Sequence, residues 1–298
     1  MDINTSRTAR AAYRVIVRPF LLLCLVLAAS GSARGQDSSK TAKTFRPAFY
    51  AFENGVHFDS PEQGVKVLKE LGYDGIGSIN PRGVAKLLPI YEAAGLKVVS
   101  LYVGGRVDSE GSHYDSVISD AITQLKGKDV ILELYVQGGD GANDESAVEF
   151  VQDIADQAKA SSLKVVLYPH TGFYMRTLAD AVRIVKKAER KNVGVMFNVC
   201  HFLNVERDNN AITAIDSAKH YLRHASICGA DKNGKPWSGL IKTLDQGDFD
   251  QQALLRKLQK IGFRGPVGLQ CYGVSGDSKE NLKRSIEAWR KLIAEVNK

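Results

Sequence analysis

Polar side chains able to move protons or polarise carbonyl groups follow the last four apolar runs of the sequence. Two of the six histidines are among them, together with two amides, an aspartate and a lysine. Imidazole exchanges protons near neutral pH, while amide and ammonium groups stabilise developing negative charge on oxygen. We therefore expect acid–base chemistry from the histidines and the aspartate, and binding or polarisation from the others. The set comprises His170, Asn198, His201, Asp231, Lys232 and Gln270.

One glutamate, Glu133, lies within an apolar run where strand alternation places it on the same face as Ile131, Tyr135 and Gln137. A polar face of this kind is expected to point into the interior of a barrel. A carboxyl group buried there must be hydrogen-bonded or have a raised pKa, which a general acid or base also requires. Glu133 is thus either a further catalytic group or a structural residue bonded to neighbouring strands.

Aromatic residues are concentrated in the same segments. Apolar faces of sugar rings stack on aromatic side chains, while their hydroxyls bond to amides, carboxylates and imidazoles. This composition indicates a carbohydrate site, in which some of the rings only pack between loops. The aromatic residues are Tyr168, Phe173, Tyr174, Phe202, Trp237 and Tyr272, of which we assign Tyr168, Trp237 and Tyr272 to substrate binding.

Short β-rich runs alternate with amphipathic stretches such as ESAVEFVQDIADQAKA and TLADAVRIVKKAERK along most of the chain. Eight such strands in roughly 250 residues predict an α/β fold, a single (β/α)8 TIM barrel, with a doubly wound open sheet as the alternative. In such barrels the residues that carry chemistry lie at the carboxyl ends of the strands. The predicted strands are 49–52, 75–79, 97–102, 130–136, 164–168, 193–197, 224–228 and 267–271.

An internal similarity supports the barrel. The segment Leu68–Gly75 (LKELGYDG) recurs as Leu258–Gly265 (LQKIGFRG), each time directly before a predicted strand. The first glycine of each copy suits the end of a helix, where a positive φ is required. The aromatic residue after it can pack back over the last turn. No change of composition interrupts the series, so a single domain is expected.

The N-terminus has the pattern of an export signal. Four arginines precede the apolar run 19–29, and the small residues SGSARG follow it. A run of about 11 apolar residues is short for a membrane span of ~20, so we predict cleavage after Gly35, with Ala33 at position −3. Loss of residues 1–35 removes five arginines and one aspartate and leaves about +3 of the net charge of +7. We expect a signal peptide at 1–35, a flexible tether at 36–46 and the barrel at 47–298.

Cys200, Cys228 and Cys271 would remain in this exported protein. An odd number does not describe a disulfide framework, and buried, inert thiols are the simplest interpretation. A disulfide, or a softer metal held together with His170 or His201, is the alternative.

Four stretches resemble the xylose isomerase-like TIM barrels, the sugar phosphate isomerase/epimerase superfamily. They are AKASSLKVVLYPH, NVGVMFNVCH, ASICGADKNG and TLDQGDFDQQALLRKLQKIGFRGPVGLQ, and the similarity extends from about residue 47 to the end. The resemblance implies a barrel whose members remove a proton beside a sugar carbonyl and return it elsewhere through an enediolate.

The resemblance also implies one divalent metal, held by Glu, Asp, His and Glu on the fifth to eighth strands. This chain has Tyr168, Asn198, Cys228 and Gln270 at those positions. Amides keep the shape of carboxylates but lack the anionic charge that binds a hard cation. We therefore predict no metal ligands, and a cofactor of the usual kind (Mn, Mg, Zn or Co) is not expected.

The leading hypothesis is an exported isomerase or epimerase of a small-molecule carbohydrate, working without the usual metal site. A carbohydrate-binding pseudoenzyme that keeps the cleft but has lost catalysis is the alternative. A nuclease is disfavoured, because the charge of +3 and the two histidines do not suit a nucleic-acid partner or a zinc cluster. No membrane span is expected in the mature form, and the sequence leaves the oligomeric state open.

Overall fold

The computed structural model describes residues 44–206 and 210–298, so the predicted signal peptide and all but the last residues of the tether lie outside the described residues. Within those ranges the strands form one sheet that closes on itself. The strands are β1 (Phe49–Phe52), β2 (Gly75–Ser78), β3 (Lys97–Asp108), β4 (Gly111–His113), β5 (Ile131–Gly138), β6 (Lys164–Leu167), β7 (Val193–Asn198), β8 (Leu222–Ile227) and β9 (Val267–Leu269).

Helices follow the strands and cover the outside of the sheet. They are α1 (Pro61–Leu71), α2 (Val84–Ala93), α3 (Val117–Gln124), α4 (Asp144–Ala160), α5 (Leu178–Ala188), α6 (Val199–Val205), α7 (Ala211–Ala218), α8 (Trp237–Leu240), α9 (Gln251–Lys260) and α10 (Ser278–Val296). The two amphipathic stretches singled out in the sequence are α4 and α5. Thr177 begins α5 with a capping box, in which its hydroxyl accepts from the N–H of Asp180 and the Asp180 carboxylate accepts from the N–H of Thr177.

All the barrel strands are parallel. Going around the barrel, β2 is followed by β1, β9, β8, β7, β6, β5 and β3, and β3 pairs with β2 to close the ring. The predicted (β/α)8 barrel is therefore confirmed. A doubly wound open sheet is excluded, because such a sheet has two free edges.

Each strand has an inner and an outer face. Outward side chains and the helices form the large core, whereas Tyr50, Val99, Val166, Tyr168 and Met196 belong to a separate cluster of buried residues contributed by β1, β3, β7 and the β6 segment. That cluster fills the barrel interior. Glu133 shares this inner face, as the alternation of β5 predicts, and is completely buried.

The repeated segment owes its second glycine to close packing of backbones. A Cβ atom on Gly75 would lie 2.0 Å from the carbonyl oxygen of Lys97, and one on Gly265 would lie 1.8 Å from that of Arg223. The first glycine of each copy has the predicted positive φ, +82° at Gly72 and +71° at Gly262. Both features arise because the helix must end and turn directly into a strand that touches its neighbour.

One strand is longer than predicted. The third strand was expected over residues 97–102, but β3 continues to Asp108 and forms an antiparallel hairpin with β4. The polar and glycine-rich composition of GGRVDSEGSH hid this extension from sequence reasoning. Among the described residues, no helix is long and apolar enough to cross a membrane.

Candidate functional site

A cavity of about 290 Å³ opens at the carboxyl ends of the strands. Side chains from the segments after β1, β2, β6, β7, β8 and β9 meet there, although they are far apart in the sequence. This is the end of a TIM barrel at which active sites are found. The cavity is lined by Phe52, Asn54, Ile79, Tyr102, Tyr168, His170, Cys200, His201, Trp237, Ile241, Gln270 and Tyr272.

His170 lies in the loop after β6 with one ring nitrogen occupied. Its Nδ1 is 2.8 Å from the carbonyl oxygen of Thr171. A carbonyl only accepts, so Nδ1 carries the proton and donates it, which leaves Nε2 with a free lone pair. The ring stacks on Phe173 at 4.0 Å between centroids. His170 therefore presents a base to the cavity.

His201, in the first turn of α6, has the opposite tautomer. Its Nδ1 accepts from the backbone N–H of Thr171 at 3.2 Å and lies 3.0 Å from the Thr171 hydroxyl. Nδ1 is thus an acceptor, and the proton must be on Nε2. The two imidazole centroids are 4.1 Å apart. His201 therefore offers a hydrogen-bond donor beside the base of His170.

Both imidazoles are held in the neutral form. Burial lowers the pKa of His170 and, more strongly, that of His201, where the neighbouring His170 adds to the effect. At pH 7, His170 therefore keeps a free lone pair on Nε2, and His201 keeps an N–H group on its own Nε2.

Thr171 was missed by the sequence analysis. Its carbonyl, its N–H and its hydroxyl contact the two histidines and assign a different tautomer to each. The signal available in the sequence was its place directly after His170 at the end of a barrel strand.

Tyr168, Asn198 and Gln270 are joined beneath the cavity. Asn198 Nδ2 lies 2.5 Å from the Tyr168 hydroxyl, and Asn198 Oδ1 accepts from the Cys200 thiol at 3.1 Å. Gln270 Oε1 accepts from the backbone N–H groups of residues 271 and 272, both at 3.1 Å. The Gln270 side chain also lies beside the Tyr168 hydroxyl and lowers its pKa slightly against the larger effect of burial. These contacts fix the orientation of both amides.

Glu133 lies one residue layer deeper and does not line the cavity. Its Oε1 accepts from the Tyr50 hydroxyl at 2.8 Å, and His224 Nε2 contacts the same hydroxyl at 2.8 Å. His224 Nδ1 is 3.5 Å from Glu133 Oε1. Burial raises the pKa of Glu133 to about 7 and lowers that of His224 to about 3, so both groups are neutral between about pH 3 and pH 7.

His224, which was not among the residues selected from the sequence, thus belongs to a buried polar network with Tyr50. The signal in the sequence was its inward parity on β8.

Asp231 and Lys232 are not brought to the cavity. The Asp231 carboxylate pairs with Lys242 at 2.6 Å, and Lys232 is exposed, with its backbone N–H bonded to Asp248. Trp237 and Tyr272 line the rim and are 37% and 58% exposed. The structure therefore gathers His170, His201, Tyr168, Gln270, Trp237 and Tyr272 around one cavity, with Asn198 directly beneath them.

The family's divalent metal does not fit these residues. Tyr168, Asn198 and Gln270 are neutral donors engaged with one another, and the Cys228 thiol donates to the Leu240 carbonyl at 3.2 Å. Its hydrogen bond with Cys200, followed by burial, raises the pKa of Cys228 and keeps the thiol protonated. Across residues 44–206 and 210–298, no three His, Cys, Asp or Glu side chains are grouped to hold a metal ion. Cys200, Cys228 and Cys271 are free and buried.

A larger depression, of about 1100 Å³, opens at the amino ends of the strands. Lysines and arginines are one third of the residues that line it, and neither His170 nor His201 is among them. Conserved chemistry in TIM barrels lies at the opposite end, and the acid–base groups of this chain are there as well. We therefore place the candidate site in the smaller cavity.

The fold and the position of this cavity agree with comparisons to known proteins. The family model of the xylose isomerase-like TIM barrel matches residues 65–292. Because this match covers most of the chain, the chain belongs to that family.

Individual relatives are distant. The 2-oxo-tetronate isomerase of Haemophilus influenzae is 24% identical over 143 residues, which are 46% of this chain and about half (51%) of that enzyme. The 3-keto-D-glucoside 4-epimerase of E. coli superposes with a TM-score of 0.64 at 18% identity, covering 83% of this chain and 99% of the other. The IOLI protein, solved with a bound zinc atom, gives a TM-score of 0.67 at 14% identity, covering 83% and 98%. At these identities the structural likeness establishes the fold alone.

Proposed function

We propose that this protein is an isomerase of an uncharged carbohydrate, which it acts on by moving a proton next to a carbonyl group. The observation that carries this proposal is the pair of opposite tautomers imposed on His170 and His201 by Thr171. A free lone pair beside an N–H donor is the arrangement that general base catalysis of enolisation requires. The sugar-converting activities named for the relatives support the same reaction class.

In this mechanism His170 Nε2 removes the proton from the carbon beside the carbonyl. The electron pair of the broken C–H bond forms the enediolate double bond, and the carbonyl π electrons move to oxygen. The N–H of His201 donates to an enediolate oxygen. The proton of the neighbouring hydroxyl moves to the former carbonyl oxygen, so that the new carbonyl forms at the neighbouring carbon. Protonated His170 then returns its proton to the former carbonyl carbon, which converts an aldose into a ketose.

Isomerisation is favoured over epimerisation because the cavity offers one base. Inversion at a single carbon needs a proton acceptor and a donor on opposite faces of the substrate, whereas a proton that migrates to the neighbouring carbon can be carried by one group. Among the described residues that line the cavity, His170 is the basic one, and none is a carboxylate, lysine or arginine. The same absence of charge suits a free sugar rather than a phosphorylated one.

The test is turnover of aldose–ketose pairs in deuterated water, followed by NMR. We expect deuterium at the carbon next to the carbonyl with at least one pair, and its loss in His170→Gln. His220→Ala, an exposed histidine outside the cavity, is the matched control and should exchange at the wild-type rate. No exchange by the wild-type protein with any pair would contradict the proposal.

A carbohydrate-binding pseudoenzyme is the second candidate. It is favoured by the substitution of all four family metal positions and by the exposed aromatic rim of Trp237 and Tyr272. Calorimetry with the same sugars separates the two: binding that is weakened by Trp237→Ala but unaffected by His170→Gln, without solvent exchange, would favour the pseudoenzyme.

Export is proposed from the sequence pattern at residues 1–35. N-terminal sequencing of the protein recovered from cell fractions tests it. A mature N-terminus at Gln36 outside the cytoplasm is expected, and an intact N-terminus in the cytoplasm would contradict it.

A further inference from the structure

Three of the four residues that the family resemblance aligns with metal-binding positions lie side by side in this chain. The Tyr168 hydroxyl is the centre of the group, in contact with the side-chain amides of Asn198 and Gln270. All three residues are at most 4% exposed. The phenol oxygen therefore lies among the side chains that would otherwise surround the cation.

The hydrogen-bond inventory of this group leaves one proton unassigned. Oδ1 of Asn198 accepts from Cys200, and Oε1 of Gln270 accepts from two backbone N–H groups. Each amide consequently turns its N–H side towards Tyr168. A phenol oxygen has two acceptor lone pairs and one O–H donor. The Tyr168 oxygen accepts from Asn198, and its O–H has no acceptor within the group, because both amide oxygens already accept from other donors.

The cavity is the open side of this hydroxyl. Tyr168 lines the cavity together with His170 and His201, at centroid distances of 6.2 and 5.8 Å from the two imidazoles. A substrate carbonyl beside the histidines is within reach of a donor at this position. A buried donor without a partner is costly unless a ligand supplies the acceptor.

We propose that Tyr168 is the catalytic acid of this site and performs the task that the divalent cation performs elsewhere in the family. This role rests on the proposed isomerisation. The Tyr168 O–H binds the carbonyl oxygen and transfers its proton to that oxygen as His170 removes the carbon-bound proton. The resulting phenolate, which accepts from the Asn198 amide N–H, takes the proton of the neighbouring hydroxyl as the new carbonyl forms. Tyr168 thereby returns to its starting state.

The electrostatics of the site agree with this relay. Burial, and then the neighbouring Cys200, raise the pKa of Tyr168 well above that of free tyrosine, so the phenol stays protonated before substrate binds. The oxygens of an enediol are weak acids of the same kind, and proton transfer is most efficient between groups of similar pKa.

The first test compares Tyr168→Phe with wild type on the sugar that shows solvent exchange. We expect a roughly 100-fold fall in kcat with KM changed less than about 3-fold, since removal of one donor to an oxyanion typically costs 10²–10³ in rate. Tyr135→Phe is the matched control. It removes a tyrosine hydroxyl from the mouth of the barrel that does not line the cavity, and it should keep wild-type kcat.

The second test changes the acidity of the phenol with its shape nearly intact. Site-specific 3-fluorotyrosine at 168 makes the phenol a stronger acid, and the kcat–pH profile should shift to a different kcat across the neutral range, because the rate of general acid catalysis depends on the acidity of the donor. Gln270→Glu should match Tyr168→Phe, because a carboxylate accepts the phenol proton and turns it away from the substrate. These two changes do not depend on whether Tyr168→Phe folds.

The outcomes separate the two proposals. Wild-type solvent exchange with undiminished kcat in Tyr168→Phe, or an unshifted profile with fluorotyrosine, would overturn the role of Tyr168 and leave the isomerase proposal standing. No exchange by the wild-type protein would overturn the proposed function and this role with it.

Discussion

Thr171 is the residue that makes two adjacent histidines chemically different. Without it, two neutral imidazoles 4.1 Å apart could each adopt either tautomer. The backbone of Thr171 contributes two of its contacts, and the hydroxyl contributes the third. A single side-chain change can therefore weaken the assignment at His201 without removing it.

Thr171→Val should lower kcat by roughly 3- to 10-fold, because one hydrogen bond is lost and such a bond is worth about 1 kcal/mol. The backbone N–H of residue 171 still donates to His201 Nδ1, which limits the effect. Steady-state kinetics on the exchanging sugar provide the measurement. Thr123→Val on α3, distant from the cavity, should not change kcat.

At the same scale, Glu133 and His224 affect the pH dependence of stability in opposite ways. Glu133 keeps its proton to about pH 7 in the folded state but only to about 4.5 when unfolded, so the free energy of unfolding falls as pH rises between these values. His224 resists protonation down to about pH 3 when folded, against 6.5 when unfolded, so stability falls as pH is lowered through that window. The two slopes oppose each other between about pH 4.5 and 6.5.

Glu133→Gln removes the first of these slopes. The stability of this variant relative to wild type should increase by up to about 3 kcal/mol between pH 4.5 and pH 7.5, since 2.5 pKa units correspond to about 3.4 kcal/mol. Urea denaturation at several pH values measures it. Glu149→Gln, on the exposed side of α4, should run parallel to wild type, and a parallel curve for Glu133→Gln as well would contradict the pKa assignment.

At the scale of elements, the loops into β3 and β9 depend on glycine for two separate reasons. Gly265 must have no side chain, because its neighbour strand lies within contact distance, whereas Gly95 needs only a positive φ of +79° and has open space around it. The two positions separate steric exclusion from backbone strain.

Gly265→Ala should destabilise the barrel by about 3 kcal/mol, since the new Cβ would overlap the Arg223 carbonyl and the strand must move. Gly95→Ala should cost about 1 kcal/mol, the strain of a left-handed backbone for an L-residue. Chemical denaturation of both variants measures the difference. Equal losses would show that the strand yields freely at Gly265.

The junction of β7 and α6 shows how elements position the site. Asn198 is the last residue of β7 and directly precedes α6, so Asn198, Cys200 and His201 reach the same end of the barrel within four residues. The alternation of side chains along a strand and the geometry of the first helical turn depend only on residues close in sequence. The sequence therefore predicted this placement. Asp231 and Lys232 lie in the longer loop that joins β8 to α8. In that loop the Asp231 carboxylate pairs with Lys242 and does not reach the cavity.

For the whole molecule, the side chains around Tyr168 predict how stability responds to divalent ions. A ligand that binds only the folded state raises the free energy of unfolding as its concentration exceeds Kd. Since these side chains are neutral and the oxygens of both amides already accept hydrogen bonds, we expect that neither chelator nor added Mn²⁺, Mg²⁺ or Zn²⁺ changes Tm by more than about 1 °C. A clear rise in Tm with one equivalent of a divalent ion would show that this set binds metal after all.

The sequence by itself determined the barrel, its eight parallel strands and the end at which chemistry belongs. Alternation of short β-rich and amphipathic segments, the repeated glycines and the position of polar residues after strands are all local patterns, and the family resemblance agrees with them. The inward position of Glu133 followed in the same way from a period of two.

Only the tertiary structure decided which of those residues act together. It brought Thr171 against both histidines, joined Tyr168 to Asn198 and Gln270, connected His224 to Glu133 through Tyr50 and left Asp231 and Lys232 outside the cavity. These relations depend on the register and closure of the barrel and on loop conformations, which bring together atoms up to 174 residues apart, as in Tyr50 and His224. Hydrogen bonds of a few ångströms then determine which nitrogen or oxygen keeps a proton, and a linear sequence does not specify such distances.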